Sequence, residues 1–480
     1  WTSAFLEEFQ KRRGYDARPF LLTYTGRAVE GLEKSERFLW DMRLTAQDLV
    51  LENHAQRVKQ YAHKHGFELS IEPYDMNPAG DLDLGAVADI PMGEFWHNFL
   101  DSAYSVFEAA SIAHVMGRPV VAAESFTAAG GLECDPWALK NQGNWAFAAG
   151  INRIFFHTYT HQPLSQYYKP GFTLGPHGVH WHRNQTWWPM VGAFHRYLTR
   201  CSEILREGTA VSDVLYLTPE GAPHIFLPPE SALEGTGFFK DKKGYGFDGC
   251  SPRMLLERAE VKDGLIAFPG GTSYRVMVLP QVQTMTPALL KKIRDLVKAG
   301  ATIVGNPPLK SPSLSGYPTC DEEVRNLAKD LWGGLEAPAE PTKRTYGQGA
   351  IHWGGALSPA MPKPPKSMDA LTGSQWIWFP EGNPAASAPP GMRYFQRTIE
   401  VDAAKALESA TASATADNEF TLWINGKKVS EGTNFKTPVV TSIESFLRPG
   451  ANVISVAVNN VGPSASPAGW IGAFEIAYKD

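Results

Sequence analysis

An apolar strand followed by a helix, repeated through the first third of the sequence, is the feature that most constrains this chain. Phe67–Ile71, Ala88–Trp96, Arg118–Phe126 and Arg153–His157 read as strands, rich in branched and aromatic residues. Helical periodicity covers Lys34–His65, where Phe38, Leu39, Met42, Leu49 and Val50 form one stripe and Gly66 is the stop signal. Further helices are expected over Ser102–Met116 and Pro136–Ala149. This alternation is the rhythm of a parallel βα array. Each strand runs into a polar residue: Glu72, Glu94, Glu124 and His157. In a (β/α)8 barrel the C-terminal strand ends converge on the active site. Four polar ends in succession therefore point to one lined pocket, in the C-terminal half of such a barrel over residues 1–205. A doubly wound sheet has similar spacing and is the structural rival.

Past the array, Asp213–Leu217, Tyr274–Pro280, a helix over Pro287–Ala299 and Ala301–Gly305 form strand, helix and strand on a flavodoxin-like scale. No G-x-G-x-x-G follows a strand there, so the α/β domain over 206–335 carries no cofactor motif. Residues 336–372 are rich in Pro, Gly, Ala and Ser, including the run Pro359–Pro365, and read as a linker. From 373 to 480 short alternating strands such as Tyr394–Ile399, Glu419–Ile424 and Val453–Val458 lie between turns such as Asn425-Gly426. That pattern predicts a β-sandwich. The chain is thus multidomain, α/β followed by β.

Bulk properties narrow the function. A net charge of −5 offers no basic face to nucleic acid or anionic lipid. No apolar stretch is long enough for a membrane span. Cys134, Cys201, Cys250 and Cys320 are scattered, without zinc or redox spacing, and neither require nor exclude disulfides. Fourteen Trp in 480 residues favour ligands with apolar C–H faces, such as sugars, although a large core uses Trp equally well. The opening Trp1–Asp16, without Met and already helical in pattern, reads as a start inside a longer protein, with any leader lost upstream.

Glycosidic bond hydrolysis needs two carboxyl groups, one to donate a proton and one to activate or supply the nucleophile. Glu124, in Ala122-Ala123-Glu124-Ser125-Phe126-Thr127, is the foremost candidate, and Gly130-Gly131 beyond it leaves room for a ligand. Glu94 lies between Gly93 and Phe95-Trp96 and suits a second catalytic carboxylate, a hydroxyl clamp or a hard-cation ligand. Glu72 and Asp75 serve the same rim, or cap helices. Five histidines (His157, His161, His177, His180 and His182) stand near Asn184, Trp187 and Trp188 without the spacing of a helical zinc pair. Hydrogen bonds to hydroxyls suit that set better than a transition metal. Glu72, Trp96, His157, His180, His182, Asn184 and Trp188 are accordingly the expected sugar-binding residues.

Several of these segments together resemble glycoside hydrolase family 106, whose members are α-L-rhamnosidases. The resemblance rests on Arg12-Arg13-Gly14-Tyr15-Asp16, Arg37-Phe38-Leu39-Trp40-Asp41, the segments around Glu72 and Asp89–Trp96, Ala123–Thr127, and His157–Trp188. It implies inverting, calcium-assisted hydrolysis of terminal α-L-rhamnosides in oligo- or polysaccharides. It also implies Glu124 as general base, Glu94 as calcium ligand and a proton-donating glutamate just before Trp1-Thr2. The C-terminal sandwich is similar to galactose-binding-like modules, and a periplasmic or secreted location is expected from the same resemblance. The alternatives are a retaining β-galactosidase-like enzyme with Glu124 as nucleophile, or a carbohydrate-binding protein without activity.

Overall fold

The computed structural model describes residues 1–478 except 76–77, 99, 132–133, 176, 356–370, 372–373, 375, 380–382, 385, 434, 436–437 and 463. The run Pro359–Pro365 lies outside the described residues. The chain divides into two compact units, Trp1–Ser358 and Pro359–Asp480.

The first unit contains a sheet of four parallel strands, β1 (Ser70–Ile71), β2 (Ile90–Trp96), β3 (Ala122–Thr127) and β4 (Arg153–Phe156). They lie side by side in chain order, so the reversal of a doubly wound sheet is absent from these four. Helices α1 (Phe5–Arg13), α2 (Leu32–Val50) and α3 (Gln56–Lys64) precede β1. α4 (Asp81–Val87), α5 (Tyr104–Met116) and α6 (Pro136–Ala149) connect the strands, and α7 (Val191–Ile204) follows the long loop after β4. Asp135 caps α6 through the Ala138 N–H at 2.9 Å, with Pro136 at the first helical position.

α5 is buried almost all round and mostly apolar. Val106, Phe107, Ala109, Ala110, Ile112 and Ala113 are all in the core. At Gly93 an added Cβ would lie 2.6 Å from the carbonyl oxygen of Ser105, so the start of α5 backs directly onto β2. The helix predicted over Lys34–His65 is interrupted by a π-helical turn, Leu51–Ala55. That wider turn brings both Leu51 and Ala55 into the core, and α3 beyond it buries none of its residues.

A second, six-stranded sheet follows. Its five parallel strands are, in chain order, Val214–Leu217, Phe247–Cys250, Val276–Val278, Thr302–Val304 and Gly349–Trp353, and they are arranged 2-1-3-4-5. Thr342–Tyr346 adds an antiparallel edge. This corrects the expectation of a linker from residue 336. Those two strands form a hairpin closed at Tyr346↔Gly349, with buried Ile351 and Trp353 on its inner face. The Pro- and Gly-rich composition around them concealed the alternation.

The second unit holds two antiparallel sheets. Gly391–Val401, Gly450–Asn460, Glu419–Ile424 and Lys427–Gly432 make one, and Val439–Ser442, Leu407–Asp417 and Gly469–Tyr478 the other. Leu422, Ile424, Ile454 and Val456 from the first share a core with Ala410, Ala412, Ala414 and Trp470 from the second. Asn425 and Gly426, both at positive φ, turn the tight hairpin that their sequence predicts.

Candidate active site

The parallel register sets the site. Glu94 on β2 is the partner of Glu124 on β3, which in turn pairs with Phe155 on β4. Side chains alternate along a strand, so register partners on neighbouring strands emerge on the same face, and the two glutamates emerge together. Their carboxyls meet within hydrogen-bonding reach. Glu72, just past β1, completes a trio of acids that feel one another's charge. On the other side, His157 follows β4 and brings Nε2 to 3.7 Å from Glu124 Oε1.

Neutral donors hold these carboxylates. The Trp96 indole N–H donates to Glu94 Oε1, and the Tyr74 hydroxyl lies beside both Glu94 and Glu72. Thr127 Oγ1 donates to Glu124 Oε1 at 3.1 Å. Ser105 Oγ accepts the Glu94 N–H at 2.8 Å and donates to its carbonyl at 3.0 Å, fixing β2 at this residue. The strand pair is bulged between Phe95 and Trp96, and Phe126 opposite has φ 67°. Bulges of this kind re-aim side chains beside active sites. Trp96 is braced in turn by Gln142, whose amide donates to its carbonyl at 2.5 Å, and its ring meets His177 edge-on at 5.4 Å.

Burial followed by repulsion from Glu124 and Glu94 pushes the Glu72 carboxyl up to about 7. Glu124 is also raised, first by burial; His157 pulls it back down and Glu94 pushes it further up. Tyr74 is raised by burial and by the surrounding carboxylates, so it stays a donor. A site that sets its acids apart in this way is equipped for proton transfer.

The structure thus gathers Glu72, Glu94, Trp96, Glu124 and His157, and adds Tyr74, Thr127, Ser105, Gln142 and His177. Tyr74 and Thr127 follow Glu72 and Glu124 by two and three residues, a proximity that could have marked them in the sequence. The other expected residues lie deeper in the loop after β4. His180 and His182 are 5% and 1% exposed, and burial lowers both imidazoles toward the neutral form. The Asn184 amide donates to the Pro170 carbonyl at 2.9 Å and so braces the loop. Trp188 packs on Trp187 and His195. Gly131 does not open space for a ligand as its sequence suggested. A Cβ there would sit 1.7 Å from the Gly178 carbonyl oxygen, so the loop's own backbone fills the place.

A parallel sheet with acids converging from neighbouring strands, followed by an antiparallel β unit, suits a glycoside hydrolase. The family model described as alpha-L-rhamnosidase, glycoside hydrolase family 106, matches residues 1–377, and the chain belongs to that family. A putative beta-glucuronidase of Formosa agariphila is 42% identical over 337 residues, covering 69% of this chain and 28% of that protein. An alpha-L-rhamnosidase of Streptomyces avermitilis is 36% identical over 237 residues, 47% of this chain and 21% of that protein. The chain therefore spans under a third of the length of either relative. The solved structure of a rhamnosidase from Novosphingobium sp. PP1Y shares the fold, with a TM-score of 0.66 at 21% identity over 98% of this chain and 60% of that one.

Proposed function

We propose that this chain carries the base side of an inverting α-L-rhamnosidase site. The observation that carries the reading is the Glu124 carboxyl on β3, held by Thr127 and faced by His157. Glu124 takes a proton from a water as it attacks the anomeric carbon. A glutamate that the family resemblance sets before Trp1-Thr2 protonates the leaving oxygen. Glu94 is not that donor. It touches Glu124, whereas inverting partners stand about 6.5–9.5 Å apart and retaining partners about 5–5.5 Å apart. The same contact argues against a retaining reaction on this pair.

The acidity of the pocket supports a neutral sugar. A uronic acid would add a fourth carboxylate to three that already repel one another, whereas rhamnose, a 6-deoxyhexose, brings no charge. On this ground we prefer the rhamnoside over the substrate class in the name of the Formosa relative.

The charge of Glu72, Glu94 and Glu124 also suits a hard cation such as calcium, with Glu94 as its ligand. Among the described residues no three Asp, Glu, His or Cys side chains gather closely enough to hold a metal. The ion on this proposal takes its other oxygens from water and sugar hydroxyls. When bound it would orient those hydroxyls and offset the repulsion of the acids. The four parallel strands in chain order support the half-barrel reading. The 2-1-3-4-5 sheet supports a flavodoxin-like accessory domain, and the two terminal sheets a galactose-binding-like sandwich. A polymeric substrate accords with a periplasmic or secreted enzyme, and no helix among the described residues is long and apolar enough to cross a membrane.

The test is hydrolysis of an aryl α-L-rhamnoside by the complete enzyme, with and without a calcium chelator, while the first-formed anomer is followed by NMR. Chelator-sensitive release of the inverted sugar is expected. Retained stereochemistry, or release only from a β-galactoside or β-glucuronide, overturns the assignment.

A further inference from the structure

Behind the pocket, the turn that carries Glu72 and Tyr74 is held by two buried acids. Asp81 opens α4 and Glu108 lies within α5; they are 2% and 0% exposed. Their carboxyls meet within hydrogen-bonding reach. Asp81 Oδ2 accepts the backbone N–H of Asp75 at 3.2 Å, and Glu108 Oε1 accepts that of Phe226 at 2.6 Å. Glu108 Oε2 is buried without any donor from the neutral groups around it.

Among the described residues the surroundings supply no countercharge. From the turn comes Asp75 itself, and from the start of α5 comes Tyr104, whose hydroxyl donates to Asp75 Oδ2 at 3.1 Å. From the 222–226 loop comes the carbonyl of His224, which accepts the Asp81 N–H at 2.9 Å. Burial lowers the His224 imidazole toward its neutral form. Two ionised carboxylates in contact here would be strongly unfavourable, whereas one proton shared between them gives Glu108 Oε2 the partner it lacks.

The pair is coupled to the turn by packing as well. A Cβ at Gly85 of α4 would lie 2.3 Å from Ile112 Cδ1 on α5 and 3.1 Å from Pro73 Cγ, so α4 fits closely against both. Asp75 has φ 56°, a left-handed conformation that a residue with a side chain adopts at a cost and keeps when tethered. Its N–H on Asp81 and its carboxylate on Tyr104 are two such tethers.

We propose that Asp81 and Glu108 hold a single proton between their carboxyls and act as positioning residues, fixing the Glu72–Asp75 turn and with it Glu72 and Tyr74 at the pocket. The catalytic consequence rests on the pocket being the reaction site proposed above; the shared proton does not. Burial, then mutual repulsion, raises Glu108 well above the carboxylate range, and burial first of all raises Asp81 to about 7. Past neutrality Asp81 is ionised and the proton rests between it and Glu108; where alkali removes that proton, two buried anions face each other and the tether on Asp75 loosens.

Infrared difference spectroscopy of the intact protein at neutral pH should show a protonated buried carboxyl that disappears in alkali and is missing from Glu108→Gln. Glutamine keeps the size of the side chain and its acceptor for Phe226, and gives Asp81 a permanent N–H donor. Wild-type thermal midpoints should fall as pH rises through about 7, and Glu108→Gln should flatten that fall. On an aryl α-L-rhamnoside, Glu108→Gln should move the alkaline limb of the kcat/KM profile upward, which a merely structural pair would not do. Absence of the carboxyl signal from the wild-type protein, readable even where the variant does not fold, overturns the proposal. An unmoved fall in Glu108→Gln, or an unmoved alkaline limb, does so too. A carboxyl signal without rhamnoside hydrolysis sinks the proposed function and leaves the shared proton standing.

Discussion

Glu94 and Glu124 are direct register partners on adjacent parallel strands, and their carboxyls meet. His157 faces Glu124 from the other side. Glu124 is thus poised between a group that raises its pKa and one that lowers it. A general base works only when deprotonated, so the acid limb of kcat/KM follows Glu124. Replacing Glu94 by Gln removes the repulsion and should move that limb to lower pH; replacing His157 by Asn should move it to higher pH. Both variants should also lose turnover, and limbs that move together or not at all would refute this arrangement.

Loss of the proposed base itself should have a larger effect. Glu124→Gln keeps the contact with Thr127 and the volume of the side chain but cannot accept the proton. Turnover of an aryl α-L-rhamnoside by the complete enzyme should fall by about 10²–10⁴-fold, with little change in KM. Activity within a few-fold of the parent would remove Glu124 from this role.

Glu72 connects the site to stability. Its folded pKa, about 7, lies above that of a free glutamate because burial and the neighbouring acids disfavour its charge. A raised carboxyl favours the folded state below its unfolded pKa, and that advantage is lost as pH climbs toward about 7. Glu72→Gln, always neutral, should therefore melt at a higher temperature than the parent above pH 7 and lose the advantage in acid. Thermal denaturation followed across that range measures the difference, and equal midpoints at alkaline pH would show that Glu72 is solvated.

The acid-bearing side of the first sheet was legible because its apolar strands each carry a polar residue; the register that pairs Glu94 with Glu124 was not. Helix α6 was legible from Asp135-Pro136 and its span. Helix α4 was not, because its seven residues make only two turns, one of them interrupted by Gly85. Asn184 stood in a loop rich in His and Trp, where a side chain facing substrate and one bracing the loop look alike. The tether of Asp75 to Asp81 depends on a backbone N–H, which no sequence pattern reports. The π-helical turn at Leu51–Ala55 was hidden because both of its apolar ends fit an α-helical stripe as well.

The Arg37–Asp41 motif, one of those that carry the family resemblance, has an architectural role. Arg37, at 3% exposure, places Nη1 and Nη2 at 3.0 and 2.8 Å from the two carboxylate oxygens of Asp321, which lies in the helix Thr319–Trp332. Asp41, one turn on, accepts from Tyr15 at 2.8 Å, Ser313 at 2.6 Å and the Leu314 N–H at 2.9 Å. These bonds lock α2 to the segment 311–321. Removing one partner of a buried, bidentate pair leaves the other charge without compensation, at a cost of about 3–5 kcal/mol. Arg37→Met should therefore destabilise the chain by that order in chemical denaturation, whereas the double variant Arg37→Met, Asp321→Leu should recover much of the loss. A single variant as stable as the parent would mean that the remaining bond from the Ser311 N–H, at 2.9 Å, suffices to hold Asp321.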